Sequence, residues 1–205
     1  MIKKVYLIRH SKPLKINNAN NSDSLQLQNE KQILSIEGEN IAKEKLSIDK
    51  LKDIDKLYTS SYVRAISTAK YIAQNNNIEI NVINDFGERK FGVNSFDELP
   101  ANFSEKQFLN EDYKIGTGES QKEVRERTLA ALMEVLKKED KKIAIVFHST
   151  AMLFLLMTWC NIIQDKGTYK IIFNNNEIFC GNFFDYCETF ELTFDNETII
   201  DIKHI

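Results

Sequence analysis

Val5-Tyr6-Leu7-Ile8-Arg9-His10 decides the reading of this chain. Four consecutive apolar residues describe a strand buried on both faces, and such strands belong to parallel sheets covered by helices. The strand ends on a cation and an imidazole, which it delivers to the carboxyl edge of the sheet, where open α/β sheets bind ligands. A second run of this kind, Ile143 to Phe147, leads straight into His148. Between the two lie a short strand at Leu57-Tyr58-Thr59 and another at Ile78 to Ile83. Arg64 falls in the first turn of the helix after the former, and Glu88 in the segment after the latter. Successive parallel strands end on the same side, so Arg9, His10, Arg64, Glu88 and His148 are expected to converge on one pocket. Strands alternating with helices predict an α/β layered fold with a largely parallel core.

The remaining segments fill in around that frame. Residues 37–47 carry Ile41, Ala42 and Leu46 among charges, as an amphipathic helix should. Ser60 or Ser61 is expected to cap the helix that carries Arg64. Lys12 to Glu30, with its run of Asn and Ser, reads as a loop. Pattern breaks down from Asp85 to Ser120, where six aromatics lie among Pro100, Gly116 and Gly118; a lid insert over about 91–118 is expected. Helices are expected from Gln121 to Lys138 and over Ala151–Trp159. The C-terminal part reads as a meander of Glu177–Phe184, Thr189–Thr193 and Thr198–Lys203, with a turn at Asp195-Asn196. The whole chain, 1–205, is read as a single domain.

Composition excludes several classes. A net charge of -3 supplies no basic stripe for nucleic acid. The longest apolar stretch is too short to span a membrane, and a strand beginning at once predicts no signal peptide. The three cysteines, Cys160, Cys180 and Cys187, have neither disulfide-framework nor zinc spacing, so reduced thiols in the cytoplasm are expected.

A pocket with two arginines and two histidines suits a phosphate dianion and the charge of a transferring phosphoryl group. A neutral His10 can attack phosphorus, and Glu88 can protonate the departing oxygen if it holds a proton near neutral pH. With arginine and histidine supplying positive charge, neither metal nor cofactor is expected. Taken singly, Arg64 reads equally as a salt-bridged helical residue, Glu88 as a solvated loop charge and His148 as a core histidine. Their joint placement carries the argument.

These residues resemble the histidine phosphatase superfamily, with its phosphoglycerate mutase-like fold. Val5 to His10 resembles the opening Arg-His signature, and Leu34-Ser35-Ile36-Glu37-Gly38 the "L-T-x-x-G" helix start. Tyr58 through Ala69 is similar to "Y-S-S-P-x-x-R-A-x-x-T-A", with Ser61 in place of proline. Phe86 to Gly92 resembles "L-x-E-x-x-x-G", Gly118-Glu119-Ser120 with Val124 and Arg127 the "G-E-S" helix start, and Ile143 to His148 the late strand. The resemblance implies a three-layer α/β/α sandwich with a mainly parallel central sheet. It implies His10 as the phosphorylated nucleophile, Arg9, Arg64 and His148 as the phosphate pocket, and Glu88 as the proton donor. Glu119 would fix the helix start.

Two departures stand out: Ser11 follows the nucleophile and Ser149 follows His148, where glycine is usual. Their hydroxyls either donate to the phosphate, which makes both candidate phosphate-binding residues, or crowd it. A mutase-like, asparagine-rich and basic continuation is not recognisable. The expectation is therefore a metal-independent phosphomonoesterase acting through phosphohistidine on a small phosphorylated metabolite. The alternatives are phosphoglycerate mutase-type transfer and a catalytically weak phosphate-binding module. The expected partner is that small substrate, with no nucleic acid or membrane; a homodimer through an edge strand stays open.

Overall fold

A computed structural model describes residues 1–15, 23–165 and 167–205. Most of the asparagine-rich part of the Lys12–Glu30 stretch, residues 16–22, lies outside the described residues. In chain order the elements are β1 (Ile2–Arg9), α1 (Leu25–Lys31), α2 (Ile36–Lys45), β2 (Lys56–Thr59), α3 (Val63–Asn76) and β3 (Ile80–Val82). Then come α4 (Phe103–Leu109), α5 (Gln121–Leu136), β4 (Lys142–Phe147), α6 (Ser149–Leu156), β5 (Asn161–Asp165), β6 (Thr168–Phe173), β7 (Asn176–Gly181), β8 (Thr189–Asp195) and β9 (Thr198–His204).

Six strands form the main sheet in the order β3-β2-β4-β1-β8-β9. β3, β2, β4 and β1 run parallel, and β8 and β9 close one edge antiparallel. Alternation along the central strands builds a core on each face. Val5, Leu7, Ile143, Ile145 and Phe147 pack towards α5 and α6. Tyr6, Ile8, Ala144 and Val146 pack towards α2 and α3. The result is the layered, mostly parallel α/β fold that the strand pattern predicts, in the three-layer form that the resemblance implies. α5 starts on a reciprocal cap in which Ser120 and Glu123 satisfy each other's backbone N–H. Among the described residues, no helix is long and apolar enough to cross a membrane.

Three expectations are corrected. The end of the supposed loop forms α1, capped by Ser24. Neither Ser60 nor Ser61 caps α3; its N-cap is Tyr62, with no side-chain cap bond. The meander is split, because β7 pairs with β6 in a separate antiparallel sheet of order β5-β6-β7. Two strands of that sheet, β5 and β6, are absent from the sequence reading. Within residues 91–118, Phe91 meets Phe96 and Phe103, and Phe103 meets Tyr113, at ring separations of 5.3, 6.1 and 5.9 Å. These aromatics therefore pack on one another around the buried Phe103, with Phe96 exposed at the edge of the cluster.

Candidate active site

The register between β1 and β4 sets up the site. Arg9 lies opposite Phe147, and the His10 amide donates to the Phe147 carbonyl at 2.9 Å, so the next residue on each strand is a histidine. Both rings are buried, with centroids 5.1 Å apart. β2 lies on the other side of β4, with Thr59 opposite Val146, and this carries the start of α3 and Arg64 to the same edge.

Hydrogen bonding defines the state of each ring. His10 Nδ1 lies 2.7 Å from the Ser11 carbonyl, an acceptor only, so Nδ1 carries the proton. Nε2 is then the lone pair, and Arg64 Nε donates to it at 3.0 Å. For His148, Arg64 Nη2 donates to Nδ1 at 3.2 Å, which leaves Nε2–H to donate to Ser60 Oγ at 2.7 Å. Burial, then the Arg64 charge, hold the pKa of both rings well below the usual histidine value. Both imidazoles are therefore neutral at neutral pH, as a nucleophilic nitrogen must be.

Arg64 sits at the centre, 3% exposed, and its third nitrogen, Nη1, donates to the Asn29 carbonyl at the end of α1. The Tyr62 ring packs against His148 at 4.6 Å and under the Arg64 guanidinium at 4.9 Å. Arg9 donates through Nη1 to the Phe184 carbonyl and stacks 4.5 Å over Tyr186, while its buried Nε has no partner among the described residues. A buried donor without an acceptor calls for an explanation, and an anion beside His10 supplies one.

Glu88 completes the group. Its Oε1 accepts from the amides of Arg89 and Ala151 at 2.9 and 3.0 Å, and its Oε2 from that of Thr150 at 3.2 Å. The carboxyl thus rests on the first turn of α6, beside Ser149, which opens that helix, and one residue beyond His148. Arg127 fixes the loop that carries Glu88: Nη1 donates to the Asp85 and Gly87 carbonyls at 2.6 and 3.1 Å, and Nη2 to the Glu88 carbonyl at 3.2 Å. The same guanidinium holds Glu119 as a fork, at 2.7 and 2.9 Å.

Arg9, His10, Arg64, Glu88 and His148 thus come to one sheet edge. Ser11 does not join them. Its Oγ donates to the Gly38 carbonyl at 2.6 Å and its amide to Thr68 Oγ1 at 2.9 Å, away from the pocket. Nor does Glu119 fix the start of α5, which Ser120 and Glu123 do; it accepts from the Lys90 amide and Arg127 instead. The sequence reading missed Ser60, Tyr62, Asn29 and the bridging part of Arg127. Ser60 and Tyr62 carried a signal as neighbours of Arg64, and Arg127 as part of the motif that follows Gly118-Glu119-Ser120, whereas Asn29 carried none. Among the described residues, no group of three His, Cys, Asp or Glu side chains is placed to hold a metal ion.

The model of the histidine phosphatase superfamily (branch 1) matches residues 5–194. No curated protein sequence matches the chain significantly. Among solved structures, a mycobacterial glucosyl-3-phosphoglycerate phosphatase matches with a TM-score of 0.71 at 14% identity, over 100% of this chain and 97% of that one. A phosphoglycerate mutase from Bacillus anthracis matches at 0.68 and 14% identity, over 100% and 92%. A putative alpha-ribazole-5'-P phosphatase from Escherichia coli matches at 0.66 and 14%, over 99% and 95%. At these identities the likeness speaks for the fold alone.

Proposed function

The chain belongs to the histidine phosphatase superfamily, and from that premise we propose that it is a metal-independent phosphomonoesterase working through a phosphohistidine on a small phosphorylated metabolite. The observation that carries this reading is the tautomer of His10. Nδ1–H on the Ser11 carbonyl leaves Nε2 as a lone pair at the centre of the cationic pocket.

The substrate phosphate meets the Nη1 and Nη2 N–H groups of Arg64 that His148 and the Asn29 carbonyl leave uncommitted, together with the Arg9 Nε. Arg64 Nε leaves the His10 lone pair as it turns to the phosphate oxygens. His10 Nε2 then attacks phosphorus, and the bond from phosphorus to the alcohol oxygen breaks. Glu88 gives that oxygen its proton, and the alcohol departs. In the second half Glu88 takes a proton from water, whose oxygen attacks the phosphohistidine and frees His10 and inorganic phosphate. His148, held by Ser60 at Nε2, accepts from Arg64 at Nδ1 and so positions the guanidinium that, with Arg9, stabilises the charge of the transferring group.

The test is hydrolysis of phenyl phosphate, in chelator, by wild type and His10→Ala. Turnover that disappears in the variant supports the reading. Turnover that needs an added divalent metal, or that survives in His10→Ala, overturns it.

A further inference from the structure

A second feature lies one residue from Glu88. A cavity of about 350 Å³ opens between α4, α6 and the β6–β7 side of the small sheet, a size ordinary for a small-molecule pocket. Phe108, Tyr169 and Phe183 form an aromatic wall, with Phe108–Tyr169 and Tyr169–Phe183 ring separations of 5.7 and 5.3 Å. Thr150, whose amide holds Glu88, and Arg89, which follows Glu88 in the chain, line the same cavity. The cavity therefore adjoins the group that would protonate a leaving alcohol.

Arg89 is the unusual member of this lining. It is 7% exposed and stacks 5.0 and 5.1 Å from the Phe91 and Phe103 rings. Its hydrogen-bond partners are neutral: Nη1 donates to Gln107 Oε1 at 2.5 Å and Nη2 to Ser104 Oγ at 3.0 Å. Nε is buried without a partner, and among the described residues no carboxylate forms an ion pair with this guanidinium. The Glu88 carboxylate acts on this charge through space but makes no ion pair with it, and a buried charge whose hydrogen bonds all go to neutral groups is costly, a cost that falls when an anion arrives.

We propose that this cavity receives the organic part of the leaving alcohol, and that this part is an aromatic ring carrying a carboxylate, with Arg89 as its counterion. The inference rests on the phosphatase reading above. It deepens that reading by assigning a substrate class and a residue that selects it. A flat ring suits the Phe108–Tyr169–Phe183 wall, where edge and face contacts add to simple burial. A carboxylate suits a guanidinium that already holds two neutral partners and lacks a charged one.

The experiment compares meta-carboxyphenyl phosphate with meta-carbamoylphenyl phosphate, which has the same shape without the charge, and with phenyl phosphate. The wild type is expected to favour the carboxylate over the amide about tenfold in kcat/KM, mainly through KM. That preference should fall to about one in Arg89→Met and survive in part in Arg89→Lys. The substrate comparison on wild type stands even if Arg89→Met fails to fold. Equal kcat/KM for carboxylate and amide, with turnover that still depends on His10, overturns the subsite and leaves the phosphatase reading intact. A preference that persists in folded Arg89→Met also overturns it. No turnover of any of the three overturns both readings.

Discussion

The two buried histidines make stability depend on pH in a range where carboxylates contribute little. In the native state burial and the Arg64 charge keep His10 and His148 neutral, well below their ordinary value of 6.5. In the unfolded chain both rings take up protons near that value. As pH falls below it, the unfolded state binds more protons than the native one, so stability declines with falling pH. The window opens at 6.5 and runs down to the depressed native values; above it the effect vanishes. At about pH 5 each histidine removes about 2 kcal/mol relative to neutral pH, and the pair about 4 kcal/mol. That is a large share of the stability of a domain, about 5–15 kcal/mol. The assay is urea denaturation at about pH 7.5 and about pH 5, in phosphate-free buffer. Wild type is compared with His10→Asn and His148→Asn, whose side chains do not titrate. Each single variant should lose about 2 kcal/mol less than wild type over this interval, whatever its absolute stability. A wild type that loses under about 1 kcal/mol, or variants that lose as much as wild type, would refute the neutral-ring assignment on which the nucleophile depends.

Glu88→Gln should slow an alkyl phosphate at least about a hundredfold and a nitrophenyl phosphate far less, since only the poor leaving group needs the proton; equal slowing in steady-state kinetics counts against Glu88 as the acid. Arg127→Met removes the guanidinium from Glu119 and from three loop carbonyls and should cost about 3 kcal/mol in denaturant titration. Adding Glu119→Gln should recover part of that loss, because the two act as one unit. Ser11→Gly should lower stability by about 1 kcal/mol, by removing the donor to the Gly38 carbonyl, with little change in kcat/KM for phenyl phosphate; reduced kcat/KM at unchanged stability would return Ser11 to the phosphate. Gly38→Ala should destabilise more strongly, since a Cβ there would stand 2.0 Å from the Lys12 carbonyl oxygen, and thermal melting of the purified variant checks it.

The main sheet was legible because its strands announce themselves. β1 is apolar and buried from Val5 to Ile8 and β4 from Ile143 to Phe147, and each run leads directly to a residue with chemistry to offer, Arg9 and then His10 for β1 and His148 for β4. α1 was illegible because seven residues with one buried side chain, Leu25, produce no periodicity. Ser24 ahead of Leu-Gln-Leu-Gln-Asn-Glu-Lys was its available signal, a cap before good helix formers. The small sheet carried a stronger signal that went unread. Asn174 and Asn175 both adopt positive φ, 48 and 65°, the backbone of a tight hairpin turn that asparagine favours. β-branched and aromatic residues flank that turn on both sides, as a hairpin requires.

Side-chain roles were less legible than side-chain positions, and Ser11 and Arg64 show why. Sequence places Ser11 beside the nucleophile, but direction depends on which packed neighbour offers an acceptor. Gly38, close enough to Lys12 that no Cβ fits, brings its carbonyl to the Ser11 hydroxyl. Arg64 is the reverse case. The sequence brings it to the pocket but cannot show that all three of its nitrogens have protein partners: His10, His148 and the carbonyl of Asn29. Two of those partners are the rings expected to work on phosphate, and the third belongs to the helix the sequence did not reveal. The guanidinium carries five N–H groups and these bonds use three, so an anion can meet Arg64 on the other two, but the bond from Nε to the His10 lone pair has to open before that nitrogen can attack. The Arg64 Nε bond that sets the His10 ring in the unliganded site is thus the one that also masks its lone pair, and a phosphate drawing Nε towards its oxygens would expose the nucleophile.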